Sequence, residues 1–274
     1  MYISIANSIG SSSNAGGGAG GGFDADYQAV LDYATTQEYT LPSASQQILQ
    51  NQLVLDLKSG GIWSKLDSFA VFATDGDSDF ALIDWIRLTD MTAVNSPTFT
   101  TDSGFNGDGA SSYIDTNFTI STDATNYTQN NASTFAYIDI DFSDTDNGIY
   151  GTRVEDTTEN RNQLRIRDVD YRPAINDVRP IISADYRSNN WHHQKRTSST
   201  DFTTYLDSTS FTNNISSVDP SFFTIPMFLL AINYIKTGPQ ILYYSSSTIK
   251  IFGLGEALDN TDLQSAVNTY ITSI

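Results

Sequence analysis

The stretch NWHHQKRTSSTDFTTYLD, residues 190–207, decides the fold. Trp191 to Thr197 and Phe202 to Leu206 carry aromatic and β-branched residues that fit a pleated, half-buried surface. Between them stand Ser198, Ser199, Thr200 and Asp201, whose short polar side chains bond back to the backbone and favour a turn. The stretch therefore reads as an antiparallel hairpin. His192 and His193 are neighbours on its first strand, so they face opposite sides of the sheet and cannot hold one ion together.

Outward from the hairpin the same pattern recurs. Candidate strands are Ser68 to Thr74, Ala81 to Leu88, Thr98 to Thr101, Ser111 to Asp115, Ser133 to Phe142, Ile149 to Val154 and Gln163 to Arg167. Ile181 to Tyr186, Phe222 to Ile232, Ile241 to Tyr244 and Thr248 to Leu254 follow. Ser133 to Phe142 alternates cleanly, with Phe135 and Tyr137 on one face and Ala136 and Ile138 on the other. Short strands at this spacing predict a mainly β fold, a sandwich or jelly roll. Helical spacing occurs only near the ends. Asp24 caps a predicted helix whose inner face is Tyr27, Val30, Leu31 and Ala34. After Pro42, Ser43 with Gln46 opens a second, bearing Leu49, Leu53 and Leu57 and stopped at Gly60-Gly61. A last helix, capped by Asn260 or Thr261, buries Leu263, Ala266, Val267 and Tyr270. The expected organisation is an arm over 1–22, a helical hairpin over 23–65 and the sandwich with its C-terminal helix over 66–274.

The arm has its own character. MYISIANSIG alternates, placing Ile3, Ile5, Asn7 and Ile9 on one face of a short strand. SSSNAGGGAGGG follows, a flexible tether with almost nothing to bury.

Composition narrows the function classes. Lys and Arg number 14 against 32 Asp and Glu, a net charge of −18 that repels phosphate backbones and argues against nucleic-acid binding. No cysteine is present, so disulfides and thiolate chemistry are excluded. The longest apolar run, Ile225 to Ile232, is strand-sized and contains Pro226, so no membrane insertion is expected. The first residues lack the basic start and long apolar run of a secretory signal, so work outside a cell would mean release by lysis or within a particle.

The hairpin with its N-W-H-H and Y-L-D resembles one found in laminin-G and concanavalin-like β-sandwiches. LDYATTQEYTLPS, IWSKLDSFAVFATDGDSDFALIDW and NSPTFTTDSGFNGDGASSYIDTNF, taken with the tail IKIFGLGEALDNTDLQSAVNTYITSI, resemble bacteriophage structural proteins carrying a concanavalin A-like lectin/glucanase jelly roll. The resemblance covers roughly 24–274. It implies a spike, fibre or head-decoration subunit of a virion, often a homotrimer, that contacts a host-surface glycan or protein. The arm is read separately: Tyr2, Ile3, Ile5 and Ile9 would anchor the chain by adding a strand to, or filling a groove of, a capsid, penton or base protein. A stand-alone carbohydrate-binding lectin module and a glycan depolymerase remain as alternatives.

Glucanases of this fold carry their carboxyls on one strand face as E-x-D-x-E or E-x-D-x-x-E. Here the nearest match is E155-D-T-T-E159, where Asp156 adjoins Glu155 and would point away. A protein that is not an enzyme, with no catalytic residue, is expected. Asp75, Asp77 and Asp79 start like a calcium loop, but Phe80 and Ile86 hold the positions that need Gly and Glu, and Asp144 to Gly148 reads first as turn chemistry; no metal or cofactor is expected. Residues 153–196 hold nine of the 14 basic residues against seven acids, +2 where the remainder carries −20, which reads as a charge-protected sheet edge or a contact with an acidic neighbour. Sugar recognition would use exposed rings, for which Tyr171, Tyr186, Tyr243 and Tyr244 are the candidates, with Tyr127 beside them.

Overall fold

The computed structural model describes residues 22–141, 146–155, 159–167, 170–177, 182–183 and 190–274. The expected anchoring residues Tyr2, Ile3, Ile5 and Ile9, and Tyr186 among the ligand candidates, lie outside the described residues.

Two sheets and a helical layer stack on one another. The first sheet runs in the order Thr209–Asn213, Phe202–Leu206, Trp191–Arg196, Ala132–Asp139, Thr248–Gly255, Gly104–Asn106 and Thr98–Thr100, and Leu66–Val71 also pairs with Thr248–Gly255. The second runs Ile182–Ser183, Asp170–Asp177, Glu159–Arg167, Asp146–Glu155, Phe228–Leu229, Tyr113–Asp115 and Thr92–Val94. Ile232–Ile235 joins Asp146–Glu155 in parallel and pairs with Pro239–Leu242. The expected hairpin forms, Trp191–Arg196 against Phe202–Leu206 with His193 opposite Tyr205, and the Ser198 hydroxyl accepts the Thr200 and Asp201 N–H groups in its turn.

Period-2 alternation in the first sheet serves two cores at once. Ala136, Ile138, Phe252, Leu254 and Leu206 face the second sheet's Tyr150, Leu164, Ile166 and Ile175. Phe135, Trp191, Phe69 and Ile251 face the other way, into a second core closed by the helices. Those helices are α1 (Ala25–Thr36), α2 (Ala44–Ser59) and the C-terminal helix Asn260–Ile271. Asp24 caps α1 and Ser43 caps α2 as expected, whereas the C-terminal helix is capped not by Asn260 or Thr261 but by Asp259, which accepts from the Thr261 and Asp262 N–H groups. A polar spine ties the layers. Tyr27 donates to Gln50 Oε1 at 2.7 Å, and Gln50 Nε2 donates to Thr74 at 3.0 Å and to the Tyr270 hydroxyl at 3.3 Å. That hydroxyl donates in turn to the Ala73 carbonyl.

Three readings need correction. Ala81 to Leu88 is not one strand: Ser78–Ala81 is a helical turn, and only Ile83–Asp84 pairs, with Thr89–Asp90. The Asp84 carboxylate accepts from the Ile86 and Arg87 N–H groups and holds the chain in a turn that Leu88 completes at φ 51. Phe222 to Ile232 likewise breaks, after Pro226 and at Leu230 with φ 63, into Phe228–Leu229 and Ile232–Ile235. Asp170–Asp177 went unread as a strand because Pro173 and Asn176 look like turn residues. Pro173 is tolerated opposite Leu164 because the described pairing on its other side reaches only Asp170 and Tyr171.

The crossing segment 243–247 links the sheets at one edge. Ser245 N–H donates to the Leu230 carbonyl, and the Gly109 N–H donates to the Ser245 carbonyl. Gly107 is required there, since an added Cβ would sit 1.9 Å from the Ser245 carbonyl oxygen.

Candidate functional site

The C-terminal helix covers the middle of the first sheet but stops short of its edge, and the gap is a groove of about 430 Å³. Its floor is Tyr205. One wall is the turn Asp207-Ser208 with edge residues Thr209 and Ser210, and the other is the helix. Asn260, Gln264 and Asn268 recur every four residues on that wall, and so share one helix face beside the buried stripe Leu263, Ala266, Val267 and Tyr270. The turn is fixed by Asp207, whose N–H donates to the Trp191 carbonyl at 3.2 Å while its carboxylate accepts the Trp191 N–H at 3.0 Å.

Beneath the floor the hydrogen bonds have one consistent assignment. The Trp191 indole can only donate, and Nε1 lies 2.9 Å from Asn260 Oδ1. His193 Nδ1 is 2.9 Å from the same oxygen and therefore carries a proton. Its Nε2, 3.1 Å from Ser133 Oγ, accepts from that hydroxyl, which itself accepts the Leu258 N–H at 2.9 Å. His193 is thus neutral, fully buried and stacked at 5.3 Å under the Tyr205 ring. Burial drives its pKa down to about 4; the Asn260 bond opposes this, Lys195 adds to it and Asp259 opposes it. Burial, then the Asp259 charge, pushes the Tyr205 hydroxyl up. Among the described residues, Asp207 is the only charged one lining the groove, and no Lys, Arg or His lines it.

The residues expected to bind ligand are dispersed. Tyr171 is a correction: only 1% exposed, it sits between the sheets, stacked on His192 with its hydroxyl 3.1 Å from Nδ1, so it offers no surface platform. Tyr127 is also buried, donating to Asn176 at 2.8 Å. Tyr243 and Tyr244 are half-buried on the far side of the molecule from the helices, Tyr243 over the Arg165 guanidinium at 3.5 Å and Tyr244 tilted against Tyr113 at 6.4 Å. The groove brings none of them together. Its own amides went unread because Asn260 looked like a helix cap; the spacing Asn260, Gln264, Asn268 was the available signal.

Other polar candidates have structural partners. Asp77 accepts the Phe80 N–H at 2.8 Å and the Thr40 N–H at 2.7 Å, and Asp75 accepts the Ser43 N–H at 2.9 Å, clasping the α1–α2 turn to the sandwich. Glu155 is gripped by Lys236 and the Tyr234 hydroxyl, with Arg153 Nη2 at 3.0 Å; the Lys236 bond, then the Tyr234 bond, holds its pKa down at about 2. The side chain of Glu159 and residues 156–158 lie outside the description, as do 142–145 of the second turn. Among its described residues the arginine-rich segment is mostly interior, although Arg167 is exposed. Glu159–Arg167 lies inside the second sheet, and Arg161 and Arg165 are 2% and 5% exposed. Arg165 bonds Asp146, and Arg172 bonds Asp170 at 2.8 Å.

No family model and no curated protein matches this sequence. Among solved structures it is similar to a mutant of Trypanosoma rangeli sialidase displaying trans-sialidase activity, with TM-score 0.50 and 12% identity over 83% of this chain and 40% of that one. It is also similar to the botulinum neurotoxin serotype D binding domain, with TM-score 0.48 and 12% identity over 78% of this chain and 52% of that one. The chain thus spans about half or less of the length of these structures. The fold is a mainly β sandwich of jelly-roll type with a few helices, as the sequence predicts. The expectation that the protein is not an enzyme is corrected: the sandwich is shared with a sialidase chain, so the fold gives no ground for setting catalysis aside.

Proposed function

We propose that the protein is a saccharide-binding attachment module, and that it serves as a spike or fibre subunit of a bacteriophage virion held to the capsid or base through residues 1–22. The observation that carries the binding reading is the groove itself: a half-buried tyrosine ring floored by a rigid polar network and walled by amides, hydroxyls and one carboxylate. A sugar needs an aromatic face for its C–H groups and a few fixed polar atoms for its hydroxyls. The volume of about 430 Å³ falls within the roughly 300–1,000 Å³ of small-molecule sites. With no basic residue lining it among those described and −18 on the chain, the groove suits a neutral sugar better than an acidic one. The virion reading rests on the sequence resemblance and on the alternating, glycine-tethered arm, which fits strand addition to a partner.

A glycan array tests the first part. The full chain should retain neutral glycans, and Tyr205→Ala should lose them while melting as a folded protein. Retention unchanged by that substitution would refute the groove. For the second part, a chain lacking residues 2–22 should fold yet fail to enter particles, and normal incorporation would refute the anchor.

A further inference from the structure

The polarity of the groove's helical wall is dictated from inside the core, and this names the sugar. The indole of Trp191, wholly buried, can only donate, so Asn260 must turn Oδ1 inward to accept from it and from His193 Nδ1. Asn260 Nδ2 is thereby turned outward, and one of its hydrogens goes to Gln264 Oε1 at 3.2 Å. Gln264 in turn must direct its NH₂ away from Asn260. Neither amide can flip without setting oxygen against oxygen or N–H against N–H. The second Asn260 N–H and the Gln264 NH₂ have no partner among the described residues, and both side chains line the groove.

We propose that this site, read as a saccharide site above, selects a neutral glycan carrying an acetamido sugar, whose amide carbonyl oxygen meets the Asn260 and Gln264 N–H groups while its ring packs on Tyr205. A sugar hydroxyl both donates and accepts and is served equally by Ser208, Thr209 and Ser210 on the opposite wall. Outward N–H groups from two locked amides match a group that only accepts. A carboxylate also only accepts, but it would enter beside Asp207 with no cation among the described residues lining the groove. Trp191 and His193 act as positioning residues, since each touches Asn260 and neither lines the groove.

Titration calorimetry on the full chain with the methyl glycosides of N-acetylglucosamine, glucose and glucuronic acid tests this. The acetamido sugar should bind about tenfold tighter than glucose, the worth of one well-placed hydrogen bond to a fixed donor. Gln264→Glu, on the half-exposed face, replaces donors by acceptors and should erase that preference, read as the ratio of the two affinities. Trp191→Phe removes one of the two donors that hold Asn260 Oδ1 inward and should narrow the preference; if that core variant does not fold, the Gln264 variant decides alone. Equal binding of the acetamido sugar and glucose, abolished by Tyr205→Ala, overturns this inference and leaves the saccharide site standing. Tighter binding of glucuronic acid overturns it too, and no Tyr205-dependent binding of any of the three overturns the saccharide site itself.

Discussion

His193 should make the stability of this protein fall between pH 6.5 and 4. The ring is fully buried between Tyr205, Trp191 and Phe135, with centroids at 5.3, 6.1 and 6.3 Å, and its two nitrogens are already committed to Asn260 and Ser133. Its pKa is about 4 in the fold against 6.5 for a free histidine. Between those values the unfolded chain binds a proton that the folded one refuses, so acid favours unfolding. The contribution is complete above pH 6.5, declines as pH falls and is exhausted below pH 4. A difference of about 2.5 units at about 1.4 kcal/mol per unit gives about 3 kcal/mol in all, of which about 2 kcal/mol is gone by about pH 5. Urea unfolding at about pH 7.5 and 5 measures it, with His193→Gln as the control, since glutamine offers a donor to Asn260 and an acceptor to Ser133 but takes no proton. Carboxylates titrate alike in both proteins and cancel in the difference. The wild type should lose about 2 kcal/mol more than the variant over this range. Equal losses would refute the assignment of a buried, neutral, doubly bonded imidazole.

Three further substitutions probe the frame. Gly107→Ala pushes a methyl into the Ser245 carbonyl at 1.9 Å and should cost about 3 kcal/mol, read as a lowered denaturation midpoint; a change within about 0.5 kcal/mol would mean the crossing strand yields freely. Arg196→Leu removes a guanidinium that is wholly buried 3.3 Å from Asp177 and bonded to the carbonyls of Ile175, Ser198, Asp201 and Ile215. It should cost about 3–5 kcal/mol in the same assay, and Asp177→Asn should cost less because the carbonyl bonds survive.

The hairpin at 190–207 was legible because its signals are local: alternating side chains on either side of a hydroxyl-rich turn. The helices were legible for the same reason, from Ser43 with Gln46 and from the apolar spacing after Asp24. What sequence could not convey was which face of a strand meets what. Tyr171 looked like a platform, yet the neighbouring strand carries it between the sheets onto His192. The arginines around Arg165 looked like edge protection because their partners, such as Asp146 and the Tyr243 ring, lie far along the chain. Asn260 shows the same limit at the groove. Its neighbours in sequence suggest a cap, and its meaning comes from Trp191 and His193, brought to it only by the packing of a helix on a sheet.

The first sheet is clad on both sides, by the second sheet on one and the helices on the other, so its central strands have little latitude for change. Thr209–Asn213 differs: it is an outermost strand, and of its residues only Asn213 is buried. Variation can therefore accumulate along one rim of the groove without disturbing either core. A lineage built on this scaffold could re-tune what it grips by rewriting a few rim positions, while the amide ladder across from them stays tied to the interior.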